Sequence, residues 1–322
     1  MKLLLTLLFA ATAFAETHQF TPTKFYNTFS GAHPPVLHIK PGDHVVTSTI
    51  DARGVDAAGV QRGQRPNPET GPFFIDGAAP GDTLVVHILR LETNRATGFS
   101  STLLAPYTAD PDFLRYEALR EAKQATWHID KQKGVAHSDP ADYKGPPIVL
   151  PLRPMLGCIG VAPDNHAAIH TSTADTFGGN MDYNGMGAGA TVMLPVFEPG
   201  ALLFVGDGHA RQGDGEVLGN AIETSLDVEF SVELLKGKKI NWPRLETQDY
   251  IMVLGSSRAL NEAMQHATTE LLRWLMETYG FDERGASLLL GQGMEYEVSN
   301  VVDPAFTIVA KMRKSYLTAP RQ

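Results

Sequence analysis

The run Ala201-Leu202-Leu203-Phe204-Val205, followed by Gly206-Asp207-Gly208-His209-Ala210-Arg211-Gln212-Gly213-Asp214-Gly215-Glu216 and, beyond Glu223, by the alternating Leu226, Val228, Phe230, Val232 and Leu234, decides how the chain is read. The apolar run and the alternating run both have strand character. Between them, Gly206 to Glu223 sets one histidine and four carboxylates on a glycine-rich backbone too polar to build a core. Strand, acidic loop, strand is the expected layout, with the loop held on a rigid frame as catalytic loops require. Gly and Asp also dominate ordinary turns. The flanking strands tip the balance towards an active-site segment.

Outside this stretch the text is again of β type. Lys40-Pro41-Gly42-Asp43 precedes His44-Val45-Val46, and Ala79-Pro80-Gly81-Asp82 precedes Thr83-Leu84-Val85-Val86. Pro followed by Gly is a type II turn signature, so each marks a reversal into a strand. Strands at this spacing suggest a sandwich or jelly roll. Between Asp110 and Val135, Tyr116, Ala118, Leu119, Ala122 and Ala125 fit a short amphipathic helix, followed by a surface excursion to Pro147. Ser256 to Tyr279 reads as the clearest helix, with Leu260, Met264, Ala267, Leu271, Leu272 and Leu275 on one stripe and Trp274 as core packing. Helix continues over Ala286 to Leu290, and a strand closes at Phe306 to Ala310. The fold class is mainly β with α additions.

The chain opens with Lys2, an apolar stretch from Leu3 and Ala13-Phe14-Ala15, the layout of an export signal cut after Ala15. That stretch falls short of the ~20 residues of a membrane span, so the expected location is secreted or periplasmic. A single cysteine, Cys158, excludes an internal disulfide. The net charge of −9, with no basic cluster longer than Lys236 to Lys239, argues against a nucleic-acid partner. A small neutral or cationic ligand suits that balance better. The glycine loop at Phe177 to Gly185 lacks the Gly-Lys-Ser/Thr ending of a phosphate cradle.

Thr49-Ile50-Asp51-Ala52, Asn67-Pro68-Glu69-Thr70-Gly71-Pro72, Asp76 to Leu84, Met155 to Pro163, Phe177 to Asp182 and Gly206 to Glu216, in that order, resemble the acetamidase/formamidase family over nearly the whole chain from Pro34 to Lys311. The resemblance implies a CUB-like jelly-roll β-sandwich with added α/β elements over residues 16–322. It also implies hydrolysis of short linear or cyclic amides to ammonia and a carboxylate, a bound divalent metal, and a homo-oligomer for which the long C-terminal helix offers an apolar surface.

Amide hydrolysis needs an activated nucleophile, oxyanion stabilisation and a proton for the departing amine. A divalent metal, with zinc preferred and calcium or manganese as alternatives, serves the first two. His209 is the expected imidazole ligand, with Asp51 and Glu223 beside it and Asp182 and Glu216 in reserve; a buried hydrogen-bonding histidine, an Asx turn at Asp51 and a solvated strand-edge Glu223 are the competing readings. If the strands around the acidic loop pair, His209 and Glu223 converge. Asp214 and Glu216, two apart, would share a face in extended backbone and act as acid and base. Asp182 is a further acid/base candidate or a turn cap, with Asn180 as a carboxamide partner. His128, His137, His166 and His33 read as loop residues, and His38 and His87 as packed strand residues. Cys158 sits in apolar text with no activating base, and Ser100-Ser101 and Ser256-Ser257 lack the long Gly/Ser-rich surroundings of a serine amidase. The rival of another class is a secreted binding module with an oxygen-rich calcium site, which would leave His209 out.

Overall fold

The computed structural model describes residues 15–117 and 123–317. The export-signal reading therefore lies outside the described residues, save Ala15. Among the described residues, no helix is long and apolar enough to cross a membrane.

The two Pro-Gly-Asp turns form as read. Gly42 and Gly81 take φ of 96° and 90°, and the amides of Asp43 and Asp82 donate to the carbonyls of Lys40 and Ala79 at 3.0 Å. Each Asp then reaches back over its turn, Asp43 to the Lys40 amide at 2.8 Å and Asp82 to the Ala79 amide at 2.9 Å. They launch strands His44–Ser48 and Thr83–Thr93, which flank Leu226–Leu235 in a nine-stranded sheet. Alternation along Leu226–Leu235 puts Leu226, Val228, Phe230 and Val232 inside. They meet the inner face of a twelve-stranded sheet, and the rings of Phe230 and Phe73 cross edge to face at 5.4 Å between the two sheets.

A helical layer covers the other face of the nine-stranded sheet. In strand Tyr250–Ser257, Met252 and Leu254 point into the sandwich core, whereas Ile251 and Val253 meet helix Leu260–Tyr279. The helix comes close enough that a Cβ on Gly255 would lie 2.3 Å from the Ala263 carbonyl. That approach puts the small Ala263 and Ala267 against the strand and leaves Leu260 and Met264 exposed. Four side chains of the expected stripe, Ala267, Leu271, Leu272 and Leu275, pack inward. The remaining inner positions are Trp274, as read, and Glu270, which accepts from Arg244 at 3.0 and 2.6 Å.

Three expectations need correction. The strand Tyr250–Ser257 runs through Ser256, so the helix begins at Leu260. The helix after Asp110 covers Pro111–Glu117, while Ala118, Leu119 and Ala122 lie outside the described residues; Ala125 belongs to strand Gln124–Asp130, where Ala125, Trp127 and Ile129 alternate inward. The acidic segment is not a loop in its first half, because one strand, Leu203–Arg211, runs through Gly206-Asp207-Gly208-His209. Nor does it pair with Leu226–Leu235, which lies in the other sheet.

Candidate active site

Strand Leu203–Arg211 changes neighbours halfway along. Its first half pairs with Glu69–Ile75 (Leu203 with Phe73, Val205 with Thr70), and its second half pairs with Ile222–Glu223 (His209 with Glu223, Arg211 with Ile222). Strand Met155–Gly160 follows the other edge, with Cys158 opposite Gly206 and Met155 opposite His209. The switch falls at Asp207, which takes a left-handed φ of 51°. Asn67 (φ 49°), Asp182 (φ 46°) and Glu216 (φ 49°) share that conformation. Non-glycine residues avoid this region unless surrounding structure enforces it, and such strain gathers at functional sites.

Those residues converge. Asp207 and His209, two apart in a strand, present their side chains on one face. His209 Nε2 lies 3.3 Å from Asp207 Oδ2 and 3.3 Å from Glu223 Oε1. Its other nitrogen, Nδ1, is 2.9 Å from Gln212 Oε1. Gln212 is fixed in that sense because its Nε2 donates to the carbonyls of Asp182 and Ser299. Nδ1 therefore carries the proton, and Nε2 turns towards the carboxylates. Asp182 and Glu216 complete a second group with His209, all three buried with ligand atoms within 4.8 Å of one another; Asp207, His209 and Glu223 form the first group on the same terms. Gly157 makes room for both: a Cβ there would sit 2.5 Å from Asp182 Oδ1, 2.5 Å from Asp207 Oδ2 and 2.9 Å from the His209 ring.

The electrostatics are lopsided. Glu69, Asp182, Asp207, Glu216 and Glu223 are buried, Asp303 is half-buried near them, and one imidazole, His209, stands among Asp182, Asp207, Glu216 and Glu223. Burial, reinforced by neighbouring carboxylates, pushes Glu69, Asp182 and Glu216 well above the ordinary range. Burial also drives Glu223 up to about 8, with His209 opposing and Asp207 adding, and Asp303 up to about 6. At His209 burial favours the neutral ring, but Glu223 and Asp207 outweigh it and raise the pKa well above 6.5. Several polar atoms here have no hydrogen-bond partner: both Glu69 carboxylate oxygens, Asp182 Oδ1, His209 Nε2 and Glu223 Oε2. Buried charge of one sign with orphaned oxygens is costly unless a proton or cation neutralises it. One imidazole nitrogen and two carboxylate oxygens aimed at one point make a donor set that fits a transition-metal ion.

A cleft of about 280 Å³ opens onto the cluster, lined among others by Asn180, Asp207, Glu216, Glu223 and Asp303. Asn180 ties the acids together. Its Nδ2 donates to Asp182 at 2.7 Å and Asp303 at 2.6 Å, and its Oδ1 accepts from Asn67 at 2.7 Å.

Of the residues picked from sequence, the structure brings together His209, Glu223, Asp182 and Glu216. His209 and Glu223 meet as cross-strand neighbours. Asp214 and Glu216 do not share a face, because Gly213 leads into a tight turn where Gly215 (φ 80°) and Glu216 are both left-handed. Asp214 ends up exposed, accepting from Asn184 at 2.7 Å. Asp51 stands aside from both groups: it accepts from Arg95 at 2.7 Å and caps the amides of Arg53 and Val55 at 3.0 and 2.9 Å, an Asx-type arrangement. The reading missed Asp207, Glu69 and Asp303. Period-two spacing of Asp207 and His209 could have revealed the first; Glu69 and Asp303 arrive from distant sequence. Among the histidines, His38 is an exposed strand residue, His87 is half-buried, and His128 and His137 stack on adjacent strands at 5.1 Å. Cys158 is buried and its thiol pKa is raised by burial and the neighbouring carboxylates, so it is not an activated nucleophile.

A β-sandwich with a buried carboxylate-imidazole cluster below a small cleft is the architecture of a hydrolytic site. The chain belongs to the acetamidase/formamidase family, which it matches over residues 14–173 and 165–312. It is 29% identical to the acetamidase of Mycolicibacterium smegmatis over 221 residues, 52% of this chain and 53% of that protein. The chain thus spans about half the length of that curated relative. Among solved structures, it resembles the acetamidase of Yersinia enterocolitica with a TM-score of 0.81 and 31% identity, covering 96% of this chain and 95% of the other. It also resembles a predicted acetamidase/formamidase from Thermoanaerobacter tengcongensis, with a TM-score of 0.81, 27% identity, and 94% and 97% coverage.

Proposed function

We propose that this chain is a metal-dependent amidase that hydrolyses short amides to ammonia and a carboxylate. The observation that carries the reading is the convergence of Asp207, His209 and Glu223 on one point inside a cluster of buried carboxylates that outnumber the one imidazole among them. Those three residues would hold the ion, and His209 favours zinc or manganese over calcium. When bound, a divalent ion polarises a carbonyl and lowers the pKa of water.

The chain's own groups supply the rest. Gln212 sets the His209 tautomer. Glu216 lines the cleft, and burial among neighbouring carboxylates raises its pKa, which favours the protonated form that can deliver a proton to the departing nitrogen. Asp182, outside the cleft lining, orients Asn180 and so the floor of the site. A cleft at the lower end of the ~300–1,000 Å³ range of ligand sites suits a small substrate.

Family membership also supports a CUB-like jelly-roll core and one catalytic domain over residues 16–322, while export rests on the layout of the first residues, Lys2, the apolar stretch from Leu3 and Ala13-Phe14-Ala15. A homo-oligomer fits Leu260, Met264, Met276 and Leu288, which remain exposed on the helical layer. The test is ammonia release from a panel of short amides before chelation, after it, and after adding back Zn²⁺, Mn²⁺ or Ca²⁺ singly. Activity lost on chelation and restored by one ion is expected. Activity indifferent to chelation would overturn metal dependence, and inertness towards every amide would revive the binding module.

A further inference from the structure

The acidic balance of the whole chain makes two residues at the mouth of the cleft conspicuous. Arg53 and Arg65 are the cations among its lining residues, set against Asp207, Glu216, Glu223 and Asp303. Both belong to the segment from Asp51 to Asn67, which is tied down along its length. Asp51 caps the Arg53 amide, Gly54 bonds Asp51, Arg62 and Gly63, and the Asn67 amide donates to Ala52 at 2.9 Å. From outside, Asn27 donates to the Gln64 carbonyl at 2.8 Å and to Pro66. The two guanidiniums are thus carried on a braced rim.

Their surroundings do not explain them as structural. Among the described residues, neither guanidinium has a carboxylate within ion-pair distance, whereas Arg95, close by, is paired with Asp51. Arg53 lines the cleft with its guanidinium over the Phe99 ring at 3.7 Å, which covers one face, and one of its N–H groups donates to Gln124. Burial and then the neighbouring Arg65 charge lower the Arg53 pKa, with Asp51 and Glu223 opposing more weakly, so the two cations repel each other across the rim. An anion placed between them relieves that repulsion and matches the fork geometry of guanidinium to carboxylate.

We infer that Arg53 and Arg65 bind a carboxylate on the substrate, so that the preferred substrate is a short amide carrying an acid group, held with its amide towards Glu216 and its carboxylate at the rim. This rests on the amidase reading and names its substrate class. The reaction stays a simple hydrolysis: the C–N bond breaks, water gives its oxygen to the acyl carbon and both its protons to the nitrogen, and an ammonium ion and a dicarboxylate leave.

The experiment compares malonamate and succinamate with propionamide and butyramide, neutral amides of the same chain lengths, in the full-length protein. The expected kcat/KM preference for the acids is about 10- to 100-fold, the worth of a charge-assisted pair. In Arg65→Met and Arg53→Met that preference should collapse, through KM rather than kcat. Equal or better turnover of the neutral amides would overturn the inference and leave the amidase standing. Succinate binding, followed by calorimetry, separates the two readings if no amide is turned over: binding lost in Arg65→Met upholds the anion site on its own, and no binding by the unsubstituted protein refutes it.

Discussion

Two of the places where this molecule buries charge do so in opposite ways. Under the helical layer, Arg244 and the fully buried Glu270 answer each other at 2.6 Å, with Asn241 on the second Glu270 oxygen at 3.1 Å. In the sandwich, carboxylates crowd one imidazole and leave oxygens with no partner. The first arrangement is complete in itself and anchors Leu260–Tyr279 to the sheet. The second is incomplete without something positive. Buried charge that is internally balanced is architecture, and buried charge left unbalanced in a cleft is a binding site in waiting.

Substitutions can break this contrast. Glu216→Gln should cut amide turnover about 10²- to 10⁴-fold, as loss of an acid/base group does, while thermal denaturation shows the fold retained. Asp214→Asn, at an exposed neighbour two residues away, should change turnover by less than about twofold, since nothing ties it to the cleft. Equal losses would restore the acid/base pair expected from spacing. Gly157→Ala forces a methyl against Asp182 and Asp207, and displacements of that order cost about 10²-fold in rate; steady-state kinetics alongside metal content checks it.

Stability sharpens the same comparison. Glu270→Ala leaves the buried Arg244 with only the exposed Glu277 at 3.1 Å and should cost about 3 kcal/mol in urea unfolding, with kcat/KM per folded molecule unchanged. Glu223→Gln, measured in chelator, should be neutral or stabilising because burial and Asp207 already push this carboxyl up to about 8, so the amide replaces a group that the metal-free site holds uncharged at neutral pH. Destabilisation of both alike would mean that the two sites are built on one principle after all.

The smallest expected effect lies in the turns. Burial alone would raise the Asp82 pKa, but Lys236 and the amides of Gly237 and Ala79 lower it below 3.8. A depressed carboxylate contributes stability above its unfolded pKa and loses it as pH falls through the folded value. Asp82→Asn should therefore cost about 1 kcal/mol at neutral pH, and the difference from the unsubstituted protein should shrink below about pH 4. Urea titrations at neutral and acid pH read this directly.

Much of the fold was legible because its signals are local. Pro-Gly-Asp turns need only their own glycine φ, and Leu226–Leu235 shows its buried face by alternation. The strand at Gly206 to Arg211 was hidden because Gly and Asp are poor strand formers; only the neighbouring strands on both edges enforce extension there. The turn at Gly213 to Glu216 broke the spacing argument for Asp214 in the same way, through backbone that glycine permits. At the site, His209 and Glu223 could be picked by residue type, and Asp207 was within reach of a period-two argument. Glu69 and Asp303 could not, because 138 and 96 positions separate them from Asp207; strand pairing brings in the first, and a bend between strands Glu295–Asn300 and Phe306–Arg313 of the other sheet brings in the second. Asp51, picked from its motif, turned out to be engaged by Arg95, a partner 44 positions away.

The central claim is that the sandwich cluster is completed by a divalent ion held by Asp207, His209 and Glu223. Metal analysis of the purified protein beside Asp207→Asn, with melting temperature recorded before and after chelation, tests it most directly. The account predicts a near-stoichiometric ion that survives dialysis, a fall in melting temperature when chelator removes it, and weak or absent retention in Asp207→Asn. A protein that carries no ion after exposure to Zn²⁺, Mn²⁺ and Ca²⁺, and melts identically with and without chelator, would contradict it.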